Sequence, residues 1–464
     1  MQFIENRTFD EITVGETAEL TRTLEPQDIE LFAIMSGDVN PAHVDAEYAA
    51  SDMFHKVIAH GMWGGALISA VLGTELPGPG TIYLNQSLSF RHAVGVGDTV
   101  TIRVTVTAKS DAHKHVTLDC LCTNQHGETV IEGEAQVVAP TVKIRRPRVA
   151  LPQVHLHEQG ARFAALIAKT APLDPVRTGV VHPCDALSLE GALEAADRGM
   201  IIPVLIGPRA KIEAVARESG RSLAGIEIVD VPHSHAAADM AVKLARDGRI
   251  EMIMKGKLHT DELLAPIVDR ATGLRTDRRI THIFVLDVPH YPKPLLISDA
   301  AINIAPDLDA KRDIVQNAID LAIALGNPLP KVAVLSAVET VTPTIPSSVD
   351  AAALCKMAQR GQITGGLVDG PLAFDNAVSA AAAQTKGIVS DVAGDADVLI
   401  VPDLDAGNMV AKQLIYLAGA DAAGLVLGAQ IPIVLTSRAD GVMSRLASAA
   451  MAQLFVHHRK GTAL

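Results

Sequence analysis

The densest chemistry near the start of the chain lies in Ser36-Gly37-Asp38-Val39-Asn40-Pro41-Ala42-His43-Val44-Asp45. Asp38 and His43 are not three or four positions apart, so a regular helix would not set them side by side. Asn40-Pro41 offers another route. The residue before a proline is driven out of helical geometry, so the run is predicted to turn there and bring carboxylate and imidazole together. Such a pair sharing one water can polarise it with a base and deliver a proton to carbon with an acid. A suitable acceptor is a double bond conjugated to a thioester, whose oxygen gains negative charge and needs fixed donors. Ala59-His60-Gly61 precedes an apolar helical run and offers the Gly61 N–H at a positive helix end. Glycine also permits close backbone approach there. In the competing, purely structural reading, Asp38 caps a helix and His43 is a satisfied turn residue.

A second set of candidates lies far along the chain. Ile431-Pro432-Ile433-Val434-Leu435-Thr436-Ser437-Arg438-Ala439-Asp440-Gly441 reads as a strand followed by a loop and then a helix from about Val442 to Phe455. Ligands of open α/β sheets bind at strand C-terminal ends. A helix N-terminus, the Ser437 hydroxyl and the Arg438 guanidinium together make an oxyanion or phosphate site. Equally open is that Ser437 only caps the helix and Arg438 pairs with Asp440. Two more loops follow predicted strands: Lys255-Gly256-Lys257-Leu258-His259-Thr260, and Asp403-Leu404-Asp405-Ala406-Gly407-Asn408. Lys255 and Lys257 suit phosphate as point charges, with Thr260, Asp403 and Asn408 as further polar contacts. Gly256-Lys257 lacks the upstream spacing of a P-loop, and Gly365-Gly366 does not form a dinucleotide fingerprint.

The elements that must position these groups fall into two classes. Up to residue 139 the pattern is mostly β: Ile82–Phe90, Thr99–Lys109, His115–Asn124 and Thr129–Val138 read as strands, with turns at Gly97-Asp98 and His126-Gly127. The run from Gly61 to Leu72 is apolar nearly all round and is expected to be buried on most sides. A single helix wrapped by an antiparallel sheet is the hot-dog arrangement, an α+β domain. It leaves a sheet edge and a helix flank open, which predicts pairing with a second copy. Residues 140–152 hold prolines and a basic knot and are expected to form a linker without helix or sheet. The knot is read as a solvated tether or an aid to phosphate binding. From 153 to 464, strands at Ile201–Ile206, Ile226–Val229, Met252–Met254, Ile283–Val288, Val332–Ser336, Val398–Val401 and Ile431–Thr436 alternate with Ala-rich helices. Those at Ala236–Arg246 and Asp309–Leu325 are examples. This predicts an α/β domain with a parallel sheet covered on both faces.

Composition sets the limits. The 464 residues carry 48% hydrophobic and only 3% aromatic residues, with a formal net charge of −13, which excludes nucleic-acid binding as a main task. The apolar stretch Gly61–Gly73 is too short to cross a bilayer, and Met1–Arg7 lacks the apolar run of a signal peptide. A reduced, cytoplasmic enzyme without a membrane partner is expected. Cys120 and Cys122 alternate on a strand and read as buried small hydrophobes. Neither they nor Cys184 and Cys355 form a Cys-x-x-Cys pair, and no metal ligand set is predicted.

Ser36 to Ala49, His60-Gly61-Met62 and Ile82-Tyr83-Leu84-Asn85-Gln86-Ser87-Leu88-Ser89-Phe90 resemble the (R)-specific enoyl-CoA hydratases of the MaoC-like family. The resemblance implies that Asp38 and His43 hold the catalytic water and that the Gly61 amide binds the thioester oxygen. After the linker, Met254-Lys255-Gly256, Gly370-Pro371-Leu372-Ala373-Phe374-Asp375-Asn376, Val392-Ala393-Gly394-Asp395, Ala406-Gly407-Asn408 and Thr436-Ser437-Arg438-Ala439-Asp440 resemble, in order, the phosphate acetyl/butyryltransferases. That implies a fold related to isocitrate and isopropylmalate dehydrogenases, in two subdomains. It also implies reversible acyl transfer between CoA and phosphate, with acyl-CoA, enoyl-CoA and phosphate as small-molecule partners and no permanently bound cofactor. Arg438 would bind the phosphoryl group and Ser437 would donate to it or to the oxyanion. Where phosphate acetyltransferases carry a proposed thiol base, this chain has a position near Ser444; Asp440 instead follows the butyryl-type Ser-Arg-Ala-Asp pattern. The whole resembles hydratase/phosphate acetyltransferase fusions. A nicotinamide-dependent decarboxylating dehydrogenase would need an aspartate metal cluster and a nucleotide loop, which the sequence does not offer.

Overall fold

Strict alternation marks two strands of the first sheet. Val100, Ile102, Val104 and Val106 point inward from Thr99–Ser110, and Val116, Leu118, Cys120 and Cys122 from His115–Thr123, while their neighbours face outward. In the computed structural model, which describes residues 3–149, 154, 160–435 and 441–462, the chain divides into two compact units between Leu156 and His157.

The first unit holds an antiparallel sheet in the order Thr17–Thr23, Thr99–Ser110, His115–Thr123, Thr129–Val138, Ile82–Phe90. The helix Gly61–Thr74 packs on its buried face through Trp63, Ile68, Val71 and Leu72. Each such side chain contributes about 1.5–3 kcal/mol of burial. Gly64 sets how closely helix and sheet approach: a Cβ there would stand 2.3 Å from Ile131 Cδ1. This is the hot-dog arrangement expected from the sequence. Both cysteines are buried on one face, and burial pushes their thiols up, Cys120 to about 11 and Cys122 to about 12.

Two local expectations change. The helix is not buried on most sides: Met62, Ala66 and Ser69 lie on an exposed flank, because the sheet covers only the face bearing Trp63, Ile68 and Leu72. Nor is the segment after residue 139 free of sheet. Arg145–Pro147 pairs antiparallel with Phe3–Glu5. The knot's charges support that pairing, since Lys143 meets Glu5 and Glu11 and donates to the Asn6 carbonyl.

The second unit is built on an eleven-stranded sheet. Its order is Glu227–Asp230, Ile201–Gly207, Val176–Val181, Met252–Lys255, Ile433–Val434, Asp421–Leu427, Thr281–Asp287, Leu295–Ser298, Val398–Ile400, Lys331–Leu335, Leu367–Leu372. Both ends are parallel, as the Val/Ile-rich strands predict. The centre is not: Asp421–Leu427 and Thr281–Asp287 are antiparallel to both neighbours. Four strands escape sequence reading. Val176–Val181, Leu367–Leu372 and Asp421–Leu427 each contain glycine, and Leu295–Ser298 is short. One face carries a continuous core that includes Phe163, Leu189, Ile314, Leu354 and Met451. The other carries two separate cores, one around Ala237 and Leu263 and one around Leu286 and Ala377.

Candidate active sites

In the first unit the proline turn does what its sequence requires. The helix Pro26–Ser36 ends on Gly37 in the left-handed region, at φ 75°. A short helix, Pro41–Val44, then starts at Asn40, whose side chain accepts from Ala42 N at 3.2 Å. Asn40 is therefore the cap, and Asp38 is not. Asp38 Oδ1 accepts from Asn40 N at 3.2 Å in a side-chain turn, and the carboxylate stays exposed. His43 Nδ1 faces the Ile58 carbonyl at 2.9 Å. A carbonyl only accepts, so Nδ1 carries the proton and Nε2 keeps its lone pair.

One ligating atom from each of Asp38, His43 and His60 lies within 4.8 Å of the other two. These types can hold a divalent metal. The two imidazoles, however, stack with centroids 4.0 Å apart and planes tilted by 36°, and each already spends one nitrogen on a backbone carbonyl, His43 Nδ1 on Ile58 O and His60 Nε2 on Asp38 O. The arrangement suits a shared water better. Beside it opens a cavity of about 270 Å³ lined by His43, His60, Gly61, Trp63, Phe90 and Ile131, among others. Gly61 is the first residue of its helix, where backbone N–H groups have no partner within the helix. A Cβ at Gly61 would come within 3.0 Å of the Phe90 ring. The cavity thus joins an imidazole, a helix-start amide and apolar walls. His60 carries no role in the sequence reading; only its place before Gly61 hinted at one.

In the second unit, neighbouring parallel strands end together. Val181 is in register with Lys255, and Met254 with Val434. The loops beyond them are stitched: Gly256 N donates to Val181 O and Lys257 N to His182 O, each at 2.9 Å. His182 Nδ1 meets Lys257 O at 2.6 Å. Gly256 must be glycine here, since a Cβ would lie 2.4 Å from Val181 O. Lys255 is buried, Lys257 is exposed, and Thr260 opens the helix Thr260–Ile267. His182 also escapes sequence reading, because the strand before it does. Ser437, Arg438 and Asp440 lie outside the described residues.

Asp403 and Asn408 sit elsewhere. Their strand, Val398–Ile400, is parallel to Leu295–Ser298, but three successive antiparallel pairings separate that strand from Ile433–Val434. The direction is thereby reversed, and the two sets of strands end on opposite edges of the sheet. Asp403 caps the helix Leu404–Leu417, accepting from Ala406 N at 2.9 Å. Asn408 Nδ2 donates to Ala300 O at 3.3 Å. Between them, Gly407 admits the 299–300 backbone, with Asp299 O 2.6 Å from where a Cβ would stand. Next to that turn lies His282, whose imidazole is buried and pushed down to about 4 by desolvation, against an opposing pull from Asp299.

Comparison with known proteins agrees with this division. Residues 11–124 match the MaoC-like domain, and residues 235–453 match the phosphate acetyl/butyryl transferase family. The chain is 62% identical over 302 residues to a phosphate acetyltransferase of Rhizobium meliloti, covering 65% of this chain and 96% of that one. It is 37% identical to a phosphate butyryltransferase of Clostridium acetobutylicum, covering 63% and 97%. Among solved structures, a branched-chain phosphotransacylase from Enterococcus faecalis is 30% identical, with a TM-score of 0.53, over 61% of this chain and 99% of that one.

Proposed function

The chain belongs to the phosphate acetyltransferase family, and on that premise we propose one polypeptide that performs two reactions on CoA thioesters. The part after the linker, taken as residues 153–464, exchanges acyl groups between CoA and phosphate: acetyl-CoA and phosphate give acetyl phosphate and CoA, reversibly. Acetyl preference is supported by the 62% identity to a phosphate acetyltransferase against 37% to a phosphate butyryltransferase. Arg438 holds phosphate, Ser437 donates to it or to the oxyanion, and Asp440 is the candidate base for the thiol. A free thiol with a pKa near ~8.5 needs such help at neutral pH. Lys255, Lys257 and Thr260 extend the anion-binding surface.

The part before the linker, taken as residues 1–139, adds water to trans-2-enoyl-CoA to give the (R)-3-hydroxyacyl thioester. The observation that carries this is Asp38 and His43 gathered beside a cavity that also receives Gly61. His43 Nε2, its lone pair free of the Ile58 bond, and the Asp38 carboxylate hold the water. One takes a proton from the water as its oxygen bonds to the β-carbon and passes that proton to the α-carbon, while the Gly61 amide takes the charge on the thioester oxygen. The enoyl chain enters the apolar cavity. Ile82, Leu84 and Phe90 on the edge strand and Met62 on the helix flank are 46–60% exposed, and a second copy covers them in a homodimer.

The test uses the purified full-length protein with crotonyl-CoA and longer enoyl-CoA, and with acetyl- and butyryl-CoA with and without phosphate. Loss of enoyl absorbance without phosphate, and release of CoA only with it, are expected. Absent hydration across the series would leave the first part as a CoA-binding or dimerisation module. Faster turnover of butyryl- than acetyl-CoA would move the second part to the butyryltransferase type.

A further inference from the structure

The first site holds a buried side chain that the hydration chemistry does not use. His60 is 3% exposed. Its ring lies between Phe32, with centroids 4.9 Å apart, and His43, at 4.0 Å. Its Nε2 meets the Asp38 backbone carbonyl at 2.9 Å, so Nε2 carries the proton and donates it. Its Nδ1 is buried without a hydrogen-bond partner among the described residues. An N-cap side chain ordinarily turns forward to the first helical amides. His60 is the N-cap of Gly61–Thr74 and makes no such bond. Its ring turns back to the Asp38 loop.

We propose that His60 is a positioning residue for hydration, one side chain that fixes the Asp38 loop, the His43 ring and the Gly61 amide relative to one another. The inference rests on the hydratase reading and adds to it. Asp38 is exposed, on a loop that follows a left-handed glycine. Its bonds to Ser36 Oγ and Asn40 N are local and do not tie it to the rest of the site. The bond from His60 crosses 22 residues and anchors that loop to the start of the helix. The stack on His43 restricts rotation of its ring about the Nδ1–Ile58 bond. Gly61 follows His60 directly in the chain, so the ring that holds Asp38 and His43 also sets where the donor amide begins. An unpaired buried nitrogen is destabilising. Its retention is accounted for by the other nitrogen and the two ring faces.

Two substitutions test this in the full-length protein. His60→Phe keeps an aromatic ring between Phe32 and His43 and removes the donor. His60→Gln keeps an N–H near the Nε2 position and removes the ring. A misplacement of about 1 Å in a reacting group costs up to about 100-fold. His60→Phe should therefore lower kcat for crotonyl-CoA hydration about 10- to 100-fold with KM changed less than about threefold. His60→Gln should recover about a third or more of the wild-type kcat. Phosphate-dependent CoA release by the same preparations, unchanged, reports the integrity of the second unit. Full hydration by His60→Phe overturns the proposal. So does an equal kcat loss in both variants accompanied by loss of the first unit's cooperative melt, which would mark a purely structural residue. Should His60→Phe fail to fold, His60→Gln decides alone: a kcat loss as large as that of Asp38→Asn overturns the proposal. Failure of the underlying reading looks different, because Asp38→Asn would then hydrate at the wild-type rate.

Discussion

The two sites place their functional groups at opposite extremes of sequence separation. In the first unit, Asp38 and His43 share one turn, and Asn40-Pro41 between them shapes it. Local backbone rules bring the pair onto one turn, and the sheet and helix behind it supply a cavity, an amide and the His60 ring that anchors the Asp38 loop. In the second unit the candidates come from strand ends more than a hundred residues apart in sequence, Lys255 against the Ile433–Val434 strand. Their proximity depends on which way each strand runs. A site made by a turn tolerates ignorance of topology, whereas a site made by strand ends does not.

The comparison breaks if either activity needs the other unit's residues. The largest expected effect is at the local site: Asp38→Asn or His43→Ala should lower kcat for crotonyl-CoA hydration by about 10²–10⁴-fold. Phosphate-dependent release of CoA from acetyl-CoA should stay within error. The reciprocal change is next in size. Arg438→Ala should lower CoA release by about 10²–10³-fold, the scale of losing one charged transition-state contact, with hydration untouched. Retained release would remove Arg438 from the site.

What was legible in the sequence follows the same line. The four hot-dog strands that sequence reading draws are observed within a residue or so of their expected ends; in Thr99–Ser110 and His115–Thr123 the alternation is a strong period-two signal, and turn residues bound the others. Asp421–Leu427, with Ala422-Ala423-Gly424 in it, carries no such signal, yet it forms two of the three antiparallel pairings that reverse the sheet. Without it, Asp403 and Asn408 read as strand-exit residues like Lys255 and Lys257, whereas the observed directions put them on the other edge. His60 escaped for another reason. Its role lies in a bond to a backbone carbonyl and two ring contacts, and a backbone carbonyl leaves no mark on residue type.

The antiparallel centre makes its own prediction, in stability. His282 sits on Thr281–Asp287, buried, with its pKa pushed down to about 4 by desolvation. On unfolding it returns to about 6.5. The unfolded chain therefore binds more protons between those values. The contribution is present above pH ~6.5 and is lost as pH falls through about 4, amounting to about 3 kcal/mol in all. His282→Leu should flatten the fall of the second unit's melting temperature between pH 6.5 and 4.5, a range in which most carboxylates are still ionised. An unchanged slope would place the pH dependence in other groups. The first unit's transition, which lacks this residue, should keep its slope in either protein.

The smallest effects give the sharpest reading of the two sheet edges. Lys257 is exposed beyond the Met252–Lys255 strand, and a solvent-screened contact from it to a phosphate contributes about 0.2–1 kcal/mol. Lys257→Ala should raise KM for CoA or phosphate up to about fivefold, more at low ionic strength than at high, with the melting temperature unchanged. Asp403 spends its carboxylate on the N-terminus of Leu404–Leu417, so Asp403→Ala should cost about 1 kcal/mol of stability and leave KM alone. Asp403→Ser, which restores a capping oxygen, should recover most of that loss. If KM rises in Asp403→Ala and stays high in Asp403→Ser, the carboxylate is meeting a ligand and the opposite edge belongs to the site after all. If only stability moves, the three reversals at the sheet centre have separated two loops that sequence alone makes equivalent.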